Sequence, residues 1–240
     1  MTTRTHDEIA AEYAKDFGEA DGFLVHRLTN SVSQLILQWR MFLFFYCGPL
    51  ERIEVLNEAS GLTARTFQNL LWDNTILNVR RLTDREKSRG EINVSLAHLL
   101  RISREKGIAC LDVPYEELLS SCETTRRYAD KHIAHSDFDH AAGRKISSTN
   151  RGETTKAIKE ISSFVQLFHK KITDVSYELV PRTSVSDEQQ FLKRLYLGNQ
   201  SSVEQTSEKI RQAKAGDWDS AFQSIYPDWL SDDHFRDNPF

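Results

Sequence analysis

Proline and glycine are scarce in this chain, with 5 and 10 among 240 residues. That shortage argues against many short strands joined by tight turns and favours long uninterrupted helices. Cysteine is scarcer still. Cys47, Cys110 and Cys122 are odd in number, far apart and in no CxxC pair. A disulfide framework or a zinc site is therefore not expected, and a reducing cytoplasm is the natural setting. Positive charge is not in excess: 31 Lys and Arg stand against 35 Asp and Glu, a net charge of −4. A constitutive duplex-DNA binder usually shows the opposite bias, although a local basic groove remains compatible with it. No apolar run is long enough to span a bilayer. The richest, "LILQWRMFLFFYC" at 35–47, carries Arg40 in its middle and reads as a core helix, so no membrane partner is expected. The start, "MTTRTHDEIAAEYAKDFGEADG", is polar and acidic, unlike a signal peptide. The GxGxxG and GxxxxGK[ST] phosphate loops, the GxSxG elbow and the HExxH zinc helix are all absent.

What is present reads as an all-α protein: a bundle of four to five long helices with a small helical C-terminal appendage. Residues 1–19 form an N-terminal arm with a short fraying helix at 6–16. Residues 20–180 form the bundle, and 181–240 the appendage. Leu24, Leu28, Val32, Leu35, Trp39, Phe42 and Tyr46 recur at three- and four-residue steps and define one face of the first long helix, which Gly48-Pro49 ends. A second helical segment covers 50–83 with a possible break near Gly61. The charged loop "DREKSRGE" leads to a third helix, capped by Asn93 or Ser95 and stopped by Gly107. The fourth starts near Pro114 and runs to about 139; the fifth spans about 153–179 and Pro181 closes it. Shorter pieces are expected at 186–197 and 202–214. The end, "GDWDSAFQSIYPDWLSDDHFRDNPF", holds Trp218, Phe222, Tyr226, Trp229 and Phe235. That is too many aromatics for a free acidic linker, so 216–236 is expected to dock on the bundle or on a second copy. Such an acidic tail would also be able to occupy a basic cleft.

Chemistry concentrates in "RRYADKHIAHSDF" at 126–138. On a helical wheel, Leu118, Cys122, Thr125, Ala129 and Ile133 share a narrow apolar arc. Arg127 and Lys131 lie opposite, Arg126 lies at the border, and Tyr128, His132 and His135 sit on the flank. A half-desolvated flank is where bundle proteins build sites. The plain alternative is a pair of hydrogen-bonded surface histidines. Zinc ligation is not expected, because no third ligand stands at a suitable spacing. On the second helical segment, Asn74, Asn78 and Arg81 form a polar stripe.

Three stretches in order, "ILNVRRLTD" at 76–84, "INVSLAHLL" at 92–100 and "DKHIAHSD" at 130–137, resemble the HEPN superfamily (higher eukaryotes and prokaryotes nucleotide-binding domains). More narrowly, the chain resembles its abortive-infection U2-like branch, over roughly residues 20–180. The resemblance implies a metal-independent ribonuclease that needs no cofactor. It also implies a homodimer whose two Arg/His motifs meet in a shared cleft, RNA as substrate or ligand, and a bacterial defence or toxin–antitoxin role against phage, with an antitoxin or defence-system partner. By the same resemblance His135 is the catalytic histidine; His132 is the runner-up, because only it satisfies the Arg–His spacing within one chain. The phosphate contact then comes from Arg126 or Arg127 of either protomer, or from Arg81 on the neighbouring helix. Arg81, Asp84, Asn78, Tyr128, Asp130, Lys131 and Asp137 bind or support. Arg81 with Asp84 reads either as a pair fixing the helix end or as positive potential for RNA.

One departure matters. The branch usually places Arg directly before "DKxIAH", and here that residue is Ala129. The motif has then either slid to Arg126 or Arg127 with His132, or it is broken. A broken motif gives a silent module that dimerises and binds RNA, a nucleotide or a protein; in that case Ala129→Arg is expected to restore activity. A structural bundle with an accidental motif is the remaining reading. The dense apolar run "WRMFLFFY" suggests a two-fold interface.

Overall fold

A computed structural model describes residues 6–88, 90–133, 148–179 and 187–224. Helices dominate. α1 spans His6–Phe17, α2 Glu19–Tyr46 and α3 Leu50–Leu82. A two-residue antiparallel ribbon, β1 (Lys87–Ser88) with β2 (Glu91–Ile92), interrupts the charged loop, pairing Lys87 with Ile92. α4 spans Ala97–Glu105 and α5 Asp112–Tyr128. α6 spans Arg151–Thr173, α7 Asp187–Lys214 and α8 Trp218–Phe222.

The apolar stripe of α2 becomes the core as its spacing predicts. Leu28, Val32 and Leu35 are fully buried, and Trp39 and Phe42 nearly so. They meet Val79 and Leu82 of α3, Leu99 of α4, Leu118 and Cys122 of α5, and Ile161, Val165 and Phe168 of α6. α1 does not fray as an arm: Tyr13 and Phe17 are buried in this same core, with Phe17 stacked on Phe168 at 5.8 Å. Gly48-Pro49 ends α2 and returns the chain as α3.

The expected break near Gly61 falls at Ser60, whose backbone is extended (φ −170°, ψ 101°). Its hydroxyl donates to the Thr63 hydroxyl at 2.9 Å and accepts from the Thr63 amide at 3.4 Å, so it caps the second half of α3. Beside the kink, Phe45, Leu56 and Ala64 form a second small core that Leu192 and Leu195 of α7 cover.

Several local expectations need correction. Neither Asn93 nor Ser95 caps α4 through its side chain. Asn93 instead donates to the Arg85 carbonyl at 2.9 Å and closes the ribbon loop. Gly107, at φ 74°, does terminate that helix. α6 begins at Arg151 because Asn150 and Glu153 form a reciprocal capping box, and it ends at Thr173 with Asp174 left-handed. α7 is one helix of 28 residues and not two pieces. The weak string Gly198–Ser202 stays helical because Asn199 donates to the Val55 carbonyl of α3 at 2.9 Å while Leu192 and Leu195 anchor the first half. Arg40, the charge inside the apolar run, pairs with the buried Glu188 of α7 at 2.8 Å.

The run "WRMFLFFY" is mostly spent inside one protomer. Trp39, Phe42 and Phe45 are buried, and the Tyr46 hydroxyl donates to the Ala64 carbonyl at 2.8 Å. Met41 is its one exposed large apolar residue. In the tail, Trp218 and Phe222 are exposed on the single chain and stack on each other at 6.1 Å. Tyr226, Trp229 and Phe235 lie outside the described residues. No helix among the described residues is long and apolar enough to cross a membrane.

Candidate functional site at the end of helix α5

The wheel of the fourth helix holds as far as Tyr128. Leu118, Cys122, Thr125 and Ala129 are all fully buried, with Arg127 and Lys131 exposed opposite. At Ala129 the α-helix stops. Residues Ala129–Ile133 form a π turn. An i→i+5 turn takes one more residue than an α turn, and such turns recur at functional sites. Angles drawn at 100° per residue therefore do not carry past Tyr128, and the helix expected to reach about 139 is described only to Ile133.

The π turn is tied to the end of α3 by Arg80. Its Nε donates to Asp130 Oδ1 at 2.6 Å, and its Nη1 donates to Asp84 Oδ2. The expected Arg–Asp pair at the α3 terminus thus exists, but with Arg80 and not Arg81. Arg80 and Asp84 are four apart, the spacing that brings side chains together on a helix; Arg81 is turned outward and exposed. Arg80 was missed in the sequence because the adjacent arginine fits the family string better. The i,i+4 spacing was the available signal.

Between the two helix ends lies an open cleft of about 530 Å³. Arg85, Arg126, Arg127 and Lys131 line it with Asp84, Glu123 and Asp130, over a floor of Tyr115 and Leu119. Arg80 engages two of these three carboxylates, and Arg127 holds the third, Glu123, at 2.9 Å. Lys131 makes no ion pair among the described residues. Arg126 is half-buried, and its Nε is buried without a partner among the described residues. Its charge opposes the rise that burial imposes on the Tyr115 and Cys122 pKa values, burial being the larger effect at both. A cleft whose acids are largely committed and whose cations are partly free suits a phosphate.

The other expected site residues divide. Tyr128, the last residue of α5, is half-buried. Asn78 is elsewhere: it donates to Gln38 at 3.2 Å and faces a separate groove over α2. His132 is placed by its backbone within the π turn, and its side chain lies outside the described residues. His135 and Asp137 lie wholly outside them. No cluster of three or more His, Cys, Asp or Glu suited to a metal ion occurs among the described residues.

A protein-family model described as AbiU2, of HEPN type, matches residues 18–191. No curated protein and no solved structure matches the chain.

Proposed function

Because the chain belongs to the AbiU2 family of HEPN proteins, we propose that it acts in abortive infection as a metal-independent ribonuclease, with its site in the α3–α5 cleft of a homodimer. The observation that carries this reading is the cleft itself: Arg85, Arg126, Arg127 and Lys131 around a concavity whose carboxylates are held by arginines. Arg126 and Arg127 hold the scissile phosphate and balance its growing charge. Cutting without metal then requires a base to take the proton from the 2′-hydroxyl. The freed oxygen attacks phosphorus, and an acid protonates the departing 5′-oxygen. The products are a 2′,3′-cyclic phosphate and a 5′-hydroxyl. Histidine titrates in the range that serves either role. His135 takes the leading role by family register, and His132 is the runner-up. Two protomers supply two copies of each.

Incubation with RNA in excess chelator tests this, with the ends of the fragments identified. Cyclic phosphate ends are expected, and His135→Ala should slow their appearance by about 10²–10⁴. A larger loss on His132→Ala would move the site to Arg126 or Arg127 with His132. Cleavage abolished by the chelator would refute the metal-independent mechanism.

Burial of Ala129 supports a second reading. The family's usual arginine position is here a fully buried alanine. A module that binds RNA in this cleft without cutting it fits that substitution. A well-folded dimer that binds but leaves RNA intact, and is harmless when expressed, would decide for this reading.

A further inference from the structure

A second groove, of about 650 Å³, lies along α2 between α1 and the end of α3. Its chemistry differs from that of the cleft. Phe23, Arg27, Asn30 and Gln34 succeed one another at three- and four-residue steps and form one stripe of α2. Phe23 is 61% exposed, an aromatic ring presented to solvent among polar neighbours. Behind it, His26 is buried, and its Nε2 accepts from the Asn30 amide nitrogen at 3.0 Å. That bond ties the amide of the exposed Asn30 to the face of α2. Asn78 closes the groove from α3 and is itself oriented by Gln38. Arg27 is the one lining cation and Glu19 the one lining carboxylate among the described residues.

Amides with both donors and acceptors, set beside an exposed ring, match the edges and faces of unpaired bases. Near-neutral charge argues against a site built for phosphate alone. The groove and the cleft share helix α3. From Asn78 to Leu82 the α3 axis advances roughly 6 Å. Arg81 stands exposed on that last turn, and Thr83 and Asp84 then line the cleft. We propose that the α2 groove is a base-binding subsite for single-stranded RNA, which holds the nucleotides flanking the phosphate in the α3–α5 cleft. The inference rests on the RNA reading of that cleft and adds where the rest of the strand lies.

Fluorescence anisotropy with a labelled, non-cleavable 2′-fluoro 12-mer tests it on the full chain. Affinity is measured from 50 to 300 mM salt for the wild type, Phe23→Ala, Asn30→Ala/Gln34→Ala and Arg127→Ala/Lys131→Ala. All five groove and cleft positions changed this way are exposed, so circular dichroism should stay unchanged. The two groove variants should weaken binding roughly ten-fold and leave the salt slope as it was. The cleft variant should lower the slope by about one per lost phosphate contact. Groove variants that bind like the wild type while the cleft variant weakens would overturn the subsite and leave the cleft reading standing. No binding by the wild type would overturn both. A fall in molecular mass on Phe23→Ala, read by light scattering, would assign the groove to a protein interface instead and overturn the proposal.

Discussion

Acid should unfold this protein partly through one imidazole. His169, on α6, is 3% exposed and sits among Thr29, Tyr13, Phe168 and Tyr177. Thr29 gives its single hydroxyl hydrogen to the Val25 carbonyl at 2.8 Å, so His169 Nε2 is the donor in the 3.0 Å bond to Thr29 Oγ1. Burial pushes the His169 pKa down from 6.5 to about 4. The Tyr13 hydroxyl, raised above its usual range chiefly by burial, stays neutral throughout that window. Between pH 6.5 and 4 the unfolded chain therefore takes up a proton that the folded protein refuses. The stability conferred by a neutral His169 is fully present above pH 6.5 and is lost as pH falls towards 4. At 1.36 kcal/mol per pKa unit, the loss is roughly 3 kcal/mol, most of it reached by pH 4.5.

The assay is urea unfolding followed by far-UV circular dichroism at pH 7.5 and pH 4.5, for wild type and His169→Gln. Carboxylates titrate in both proteins and cancel in the comparison. The wild type should lose roughly 2–3 kcal/mol more than the variant across that interval. Glutamine keeps a donor for Thr29, so the variant should be only about 1 kcal/mol weaker at pH 7.5. Equal acid sensitivity in the two proteins would mean that the folded protein accommodates a charged His169, and the linkage argument would be wrong.

Replacing Arg80 by Ala should release the π turn from α3; because both of its ion pairs are partly exposed, the stability loss should be only about 1 kcal/mol, while hydrogen exchange over 129–133 rises and any cleavage falls. Unchanged exchange there would show that Arg80 does not hold the turn. A thiol reagent should modify exposed Cys110 in the native protein and spare Cys122, which is buried with its pKa pushed up to about 12; mass spectrometry of the labelled peptides reads the order, and early labelling of Cys122 would contradict the packing of α5.

The parts of this structure that were legible in the sequence are those governed by a repeating period. The α2 stripe from Val32 to Phe42 and the buried arc Leu118–Cys122–Thr125 follow from 3.6 residues per turn and need no tertiary information. Gly107 was legible because a left-handed stop selects glycine. What escaped depends on contacts between distant elements. Gly198–Ser202 reads locally as a break, and Asn199 on the Val55 carbonyl overrules it. The two adjacent arginines at the α3 terminus are separated by about 100° of rotation; the i,i+4 spacing assigns Arg80 to Asp84, but its second bond, to Asp130 of the π turn, depends on the tertiary fold. The π turn has no period of its own to read, so the wheel carried Arg–His angles past Tyr128 that the backbone does not keep.

That same turn bears on Ala129. Read from the family pattern alone, arginine at this position should restore a complete motif. In the folded chain Ala129 is the first residue of the π turn and has no exposed surface. A guanidinium added there has two outcomes. It remains inside, overpacking the α5 arc at roughly 1–3 kcal/mol and burying a charge whose neighbouring carboxylate, Asp130, already serves Arg80. Or the turn unwinds to let it out, which breaks the Arg80–Asp130 bond and reshapes the cleft. Neither outcome rebuilds an active site on the present backbone. Ala129→Arg should therefore lower the thermal midpoint by roughly 5–10 °C for a chain of this size and bring no gain in RNA cleavage over the wild type. A variant that melts with the wild type and cuts RNA faster would show that the turn re-forms as an α-helix around the new side chain, and that the alanine alone holds this site silent.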